Sequence, residues 1–225
     1  MRKPEAVIFD MDGVLIDSEP IHIEIENKLY AKLGINVSEE VHRSYLGASN
    51  EYMYTDLKSR YQLGQTVTEL MAFDEDFRSE YFRNLDHLSA NEGVISLLHE
   101  IRAAGIKLAV ATSSSPDIVN ILLKKCKIES FFDAIVTTSE AGKSKPSPDV
   151  YLCAARKIAV LPQNCIVFED SPHGLSAAKS AGMFCIAIQT DNEIIKSLSR
   201  ADYLIGSFKN FTLNKLVEIL SDRKK

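Results

Sequence analysis

Residues 6–13 read Ala6-Val7-Ile8-Phe9-Asp10-Met11-Asp12-Gly13, and this stretch decides the fold. Its first four residues form a β-branched and aromatic run that stops at a turn-rich Asp-Met-Asp-Gly segment, the pattern of a short buried strand. The same plan recurs downstream. Apolar runs at 107–111, 134–136, 165–168 and 184–188 end respectively in Thr112-Ser113-Ser114-Ser115, Thr137-Thr138, Glu169-Asp170-Ser171 and Gln189-Thr190-Asp191. A later strand is expected at 203–205.

Helical periodicity separates these runs. Residues 91–104 place Val94, Leu97, Leu98 and Ile101 at 3/4 spacing, and Gly105 ends the pattern. Residues 116–127 begin with Pro116 at a first-turn position and carry Ile118, Ile121 and Leu122 on one face. Residues 148–158 and 175–181 repeat the pattern, and Gly182 caps the second. Alternating strands and helices predict an α/β fold, a Rossmann-like parallel sheet core with helices on both faces. Residues 18–86 interrupt the alternation with helix-like patterns at 21–33, 51–61 and 68–83 and turns near Gly34 and Gly47. The expected organisation is therefore a catalytic core of residues 1–17 and 87–225 with an all-helical cap domain, 18–86, inserted after the first strand. The chain end, 221–225, reads as a frayed, solvated tail.

Composition narrows the setting. The chain has 225 residues, 45% hydrophobic, with a formal net charge of -5. No apolar run approaches the roughly 20 residues that span a bilayer, and the first residues do not resemble a signal peptide. Cys126, Cys153, Cys165 and Cys185 are scattered in apolar contexts without metal-ligand spacing and read as free thiols. These features predict a cytoplasmic protein with no membrane partner. The acidic balance excludes nucleic acid as the main partner, since a phosphate backbone needs a basic face. A small phosphorylated ligand needs only a local positive site. A monomer is the default expectation.

Ligands of open α/β sheets bind beyond the carboxyl ends of the strands. The residues expected there are Asp10, Asp12, Thr112, Ser113, Glu169 and Asp170, with Lys143 and Lys145 in the loop after the third strand. Taken singly, each is most often structural: an aspartate forms a turn, a lysine is solvated, a threonine caps a helix. Together they form a pattern. Four carboxylates brought close would repel, and a hard divalent cation resolves the repulsion. Oxygen donors without His or Cys favour Mg²⁺, which takes substrate phosphate as a further ligand. The hydroxyls and the lysine suit the remaining phosphate oxygens, and a carboxylate can act as nucleophile through an aspartyl-phosphate.

These residues resemble the haloacid dehalogenase-like superfamily of phosphohydrolases over nearly the whole chain. Asp10-Met11-Asp12-Gly13-Val14-Leu15 resembles the first motif, which implies Asp10 as nucleophile and Asp12 as general acid/base. Leu108-Ala109-Val110-Ala111-Thr112 resembles the second, Lys145 in Ser144-Lys145-Pro146-Ser147-Pro148-Asp149 the third, and Phe168-Glu169-Asp170-Ser171 the fourth. The resemblance implies Thr112, Ser113 and Lys145 as phosphate-binding residues. It implies Asp10, Asp12 (through its backbone carbonyl), Glu169 and Asp170 as the Mg²⁺ set. The helical insert resembles the family's small cap, and the similarity is greatest to the branch of β-phosphoglucomutase and the sugar-phosphate phosphatases. Asp17-Ser18-Glu19-Pro20-Ile21-His22 fits that branch as the hinge, with His22 able to face the catalytic groups or to sit on a helix surface.

The implied function is Mg²⁺-dependent hydrolysis of a small phosphorylated metabolite, a sugar phosphate, through an aspartyl-phosphate. The alternatives are a β-phosphoglucomutase and a binding protein that has lost catalysis. Leu46-Gly47-Ala48-Ser49-Asn50 resembles the mutase's cap loop, but Leu46 and Asn50 stand where the mutase has a lysine and an arginine. That departure favours hydrolysis, unless Arg43, Lys58 or Arg78 compensates. Gly47, Ala48, Ser49 and Asn50, with Met53, are the expected specificity positions of the cap.

Overall fold

The computed structural model describes residues 3–45 and 50–222, apart from the side chains of Glu19 and Arg43. The expectations placed on Leu46, Gly47, Ala48 and Ser49 thus lie outside the described residues. The chain divides into two compact units, Met1–Ser18 with Leu88–Lys225, and Glu19–His87.

Strand β1 (Ala6–Phe9) opens the first unit. The second unit follows, made of α1 (Glu19–Lys32), α2 (Glu39–Ser44), α3 (Asn50–Tyr61) and α4 (Val67–Asn84). The first unit resumes with α5 (Val94–Ala103), β2 (Lys107–Thr112), α6 (Pro116–Lys125) and β3 (Ala134–Thr137). It continues through a short α7 (Thr138–Ala141), α8 (Asp149–Lys157), β4 (Cys165–Glu169) and α9 (Pro172–Ser180). It closes with β5 (Phe184–Ile188), α10 (Asn192–Ser197), β6 (Tyr203–Ile205) and α11 (Leu213–Asp222).

The six strands form one parallel sheet in the order β3-β2-β1-β4-β5-β6. Ile8 sits in register with Ala109 on one side and Val167 on the other. The chain winds outward from β1 through β2 to β3, then returns to place β4 on the other flank of β1. The connections therefore reverse direction between β1 and β4, the place where ligands bind in open α/β sheets. A parallel sheet must be covered on both faces, and alternation along each strand supplies two apolar faces. Ala6, Ile8, Ala109, Ala111, Val136, Val167 and Cys185 meet Val150, Tyr151 and Ala154 of α8 and Leu175 and Ala178 of α9. On the other face, Phe9 stacks on Phe168 with ring centroids 5.0 Å apart, and Phe208 and Phe211 pack edge-on against Phe168. Each such buried side chain is worth about 1.5–3 kcal/mol relative to exposure. All four cysteines are buried free thiols.

The helical unit has its own core of Leu29, Tyr30, Tyr45, Met53, Tyr54, Leu57 and Leu70. Thr66 and Glu69 form a reciprocal capping box at the start of α4. Asp74 is buried, and Arg78 pairs with it at 2.7 Å and with Glu26 at 3.1 Å. Among the described residues, no helix is long and apolar enough to cross a membrane.

Three details differ from the sequence reading. Thr112 and Glu169 are the last residues of their strands, in register with Thr137 and Ala187, instead of the first residues of loops. The helices α2, α7, α10 and α11 carried no expectation. Ser221 and Asp222, read as part of a frayed tail, complete α11, where the Ser221 hydroxyl donates to the Val217 carbonyl at 2.8 Å.

Candidate active site

Strand β1 delivers Asp10 to the sheet's carboxyl edge, and the Asp10 backbone N–H is tied to the Phe168 carbonyl of β4 at 3.0 Å. Glu169 ends β4 and Asp170 follows it. Carboxylate oxygens of Asp10, Glu169 and Asp170 lie within 4.8 Å of one another. Gly13 lets the backbone pass against this cluster. Its φ of +74° is easy only for glycine, and a Cβ there would overlap the Asp170 carboxylate.

Lys145 enters from the loop before α8. Its ammonium lies 2.7 Å from Asp10 Oδ1 and 2.7 Å from Glu169 Oε1, with the side chain 7% exposed. Those bonds use two of its three N–H groups. Glu169 is the most thoroughly held residue of the site. Tyr151 OH also donates to its Oε1, at 2.8 Å, and Oε2 accepts the Asp170 N–H, the Ser171 N–H and the Ser171 hydroxyl. The Ser171 hydroxyl in turn accepts the Gly174 N–H and caps α9, so one helix N-terminus and one carboxylate are built together.

Electrostatics follow from burial. Desolvation, with the charges of Glu169 and Asp12 adding to it against the pull of Lys145, pushes Asp10 up to about 7. Burial, then Asp10 and Glu169, push Asp170 up to about 9. Burial works the same way on Glu169, but Lys145 and the hydrogen bonds to it outweigh burial and hold it below the usual carboxylate range. Burial alone would lower Lys145, yet its two carboxylate partners keep it above the usual lysine range.

Asp12 occupies a different environment. The Ser18 hydroxyl donates to its Oδ1 and the Ser114 hydroxyl to its Oδ2, each at 2.6 Å. Its carboxylate is not in the convergent cluster of Asp10, Glu169 and Asp170. Thr112 is buried at the end of β2, and its hydroxyl oxygen accepts the Ser114 N–H at 3.0 Å. Ser113 is exposed beside it. Ser18, Ser114 and Tyr151 were not singled out from the sequence. Ser114 lies 102 residues from its partner, and Tyr151 reads there as one apolar position of α8.

Among the helical unit's candidates, His22, Lys58 and Arg78 have partners within that unit. Phe82 packs on the His22 ring edge, with centroids 5.5 Å apart, and its Nδ1 lies 3.0 Å from an Arg78 nitrogen. Lys58 donates to the carbonyls of Leu63 and Gln65. Asn50 is the exposed first residue of α3, and Met53 is buried in the same helix.

A reversing parallel sheet gathers Asp10, Glu169 and Asp170 at its carboxyl edge, with the Lys145 ammonium against two of them. The chain belongs to the haloacid dehalogenase-like hydrolases, whose family model matches residues 7–188. A phosphorylated carbohydrates phosphatase from Thermotoga maritima is 33% identical over 179 residues, covering 80% of this chain and 82% of that protein. CbbY from Rhodobacter sphaeroides, solved in complex with phosphate, superposes with a TM-score of 0.83 at 29% identity, covering 95% and 99% of the two chains. A β-phosphoglucomutase from Clostridium difficile gives 0.81 at 26% identity, covering 98% and 99%. The chain is a phosphoric monoester hydrolase of the branch that holds these proteins.

Proposed function

We propose that this chain hydrolyses a small sugar phosphate, with Asp10 as nucleophile and Asp12 as general acid/base. The observation that carries the reading is the contrast between two carboxylates two residues apart. Asp10 is paired with an ammonium and packed among acids, whereas Asp12 is bracketed by two hydroxyls. Asp10 attacks phosphorus and Asp12 protonates the leaving alcohol. Asp12 then takes a proton from water, which releases phosphate from the aspartyl-phosphate on Asp10. The remaining N–H of Lys145 and the hydroxyls of Thr112 and Ser113 are assigned to phosphate oxygens.

The site fits Mg²⁺. Its donors are hard oxygens, and two of its carboxyls are driven toward protonation when no cation offsets their burial. Asp10, Asp170 and the Asp12 carbonyl would hold the ion, with Glu169 close by. When bound, it neutralises the ester and so admits an anionic nucleophile.

The names of the relatives support a phosphorylated carbohydrate as substrate. Hydrolysis is favoured over phosphoryl return to a sugar because Arg78 and Lys58, two of the three cations weighed as replacements for those missing beside Gly47 and at Asn50, are committed to partners inside the helical unit; the side chain of the third, Arg43, lies outside the described residues. Asp10→Asn should abolish turnover while melting like the native protein. Near wild-type activity in that variant would overturn the mechanism. A panel of phosphorylated sugars, nucleotides and short acids, run with and without chelator, identifies the substrate class. β-Glucose 1-phosphate with a trace of the bisphosphate should yield inorganic phosphate; glucose 6-phosphate would instead mark a mutase.

A further inference from the structure

We propose that Tyr151 is a positioning residue of the phosphatase site, acting on Lys145 through Glu169; the proposal rests on the hydrolytic reading above. Tyr151 is fully buried in α8, on the face that packs under the sheet. It reaches the site twice. Its hydroxyl donates to Glu169 Oε1 at 2.8 Å, the same oxygen that accepts Lys145 at 2.7 Å. Its ring lies beneath the Lys145 ammonium, with the nitrogen 5.0 Å from the centroid, inside cation–π range.

The consequence follows from counting acceptor directions. A carboxylate offers about four lone-pair sites. Glu169 receives donors from Tyr151, Lys145, the Asp170 N–H, the Ser171 N–H and the Ser171 hydroxyl. All its directions are taken by protein donors. Glu169 is thereby an anchor for Lys145 and for the turn that carries Asp170, with no oxygen left over for a second task. Tyr151 is the member of this set that comes neither from the turn after β4 nor from the lysine. It fixes which way Oε1 faces, and the ammonium shared by Oε1 and Asp10 is placed with it. Without the hydroxyl, Oε1 gains freedom to turn from Lys145, and the ammonium loses its register on Asp10.

Tyr151→Phe keeps the ring and the packing and removes one oxygen. Loss of one hydrogen bond to a charged group is worth about 10–100-fold. Expected here is a fall in kcat of about tenfold with KM for an aryl phosphate within about threefold, and a melting curve close to the native one. Tyr151→Leu, which also loses the ring, should fall further. The decisive measurement is a double-mutant cycle on kcat with Glu169→Gln. If Tyr151 acts through Glu169, adding Tyr151→Phe to Glu169→Gln costs less than about threefold more. Multiplication of the two losses, or an unchanged kcat in Tyr151→Phe, would overturn the proposal. Calorimetric titration of wild type and Tyr151→Phe with Mg²⁺ alone separates this from the functional reading. A wild type that binds Mg²⁺ but hydrolyses no phosphate ester sinks the hydrolytic reading. In enzymes that do hydrolyse, the Mg²⁺ titrations of the two proteins should be similar, because Tyr151 acts on Lys145; a Mg²⁺ affinity lost in step with kcat would place its effect at the cation and overturn the proposal.

Discussion

Glu169 and Gly174 show how tightly this site is specified at the level of single residues. Gly174 lies in the first turn of α9, and a Cβ there would overlap the Glu169 carboxylate. Two effects of Gly174→Ala oppose each other. Alanine in a helix is favoured over glycine by about 1 kcal/mol. Against that, the methyl displaces a buried carboxylate whose hydrogen bonds involve charge, each worth about 1.5–3 kcal/mol. The displacement wins, so Gly174→Ala should destabilise by about 2–3 kcal/mol in urea unfolding and reduce turnover as well. A neutral or stabilising result would mean that Glu169 can shift without consequence. Nothing in the sequence around Gly174 announces this role. Asp10, Glu169 and Asp170 were legible because each follows or ends an apolar run, and Lys145 because it stands in the loop after the third such strand. Ser18 and Ser114, which hold Asp12, and Tyr151 and Gly174, which bond and make room for Glu169, were not, because their partners are set by the fold and not by neighbouring sequence.

Secondary elements were readable in proportion to their length and the regularity of their burial. The strand β1 and the helices α5 and α6 stand out because a fully buried run, or a clear 3/4 spacing, is closed by a recognisable turn or cap. Ser115 caps α6 by accepting the Ile118 N–H, and Pro116 fills its first turn. The six-residue helices α2 and α10 are too short to develop a period. Helix α11 is a different case. Leu213, Leu216, Val217 and Leu220 follow helical spacing, but they carried no expectation, and the charged residues 221–225 after them read as a solvated end. In the fold, Leu213, Leu216 and Ile219 are buried, and the Leu213 N–H is accepted by Glu100 of α5 at 2.7 Å. The last helix is thus part of the sheet's covering, on the face of Phe168 and Phe208. Leu216 is fully buried, so Leu216→Ala should cost about 3 kcal/mol, within the usual range for leucine truncation in a core. Denaturant titration checks it. A loss below about 1 kcal/mol would show that α11 contributes little to the covering layer.

At the scale of the molecule, the acidic cluster makes stability depend on both pH and cation. With no cation bound, burial raises Asp10 to about 7 and Asp170 to about 9 from the usual 3.8 of an aspartate. Between those limits the folded chain holds protons that the unfolded chain has released. Stability falls with rising pH wherever the folded state binds more protons. The loss therefore begins above the unfolded value and accumulates through about 7 for Asp10 and about 9 for Asp170. Glu169, held below its usual range, acts in more acidic solution, and Lys145, held above its usual range, in more alkaline solution, so neither opposes this trend near neutrality. Asp74 in the helical unit is raised as well, by burial, and contributes the same sign independently of the site. A comparison of variants separates the two sources. With EDTA, the melting temperature of the wild type should decline from pH 5.5 to 8.5, and Asp170→Asn should decline less steeply. With Mg²⁺, the wild-type decline should flatten, because a cation favours the ionised carboxylates and its binding expels their protons. Calorimetry at pH 7 in two buffers of different ionisation enthalpy should show that proton release directly. Parallel declines for wild type and Asp170→Asn in EDTA, together with a buffer-independent heat, would place the protons elsewhere and remove the electrostatic case for a cation at Asp10 and Asp170.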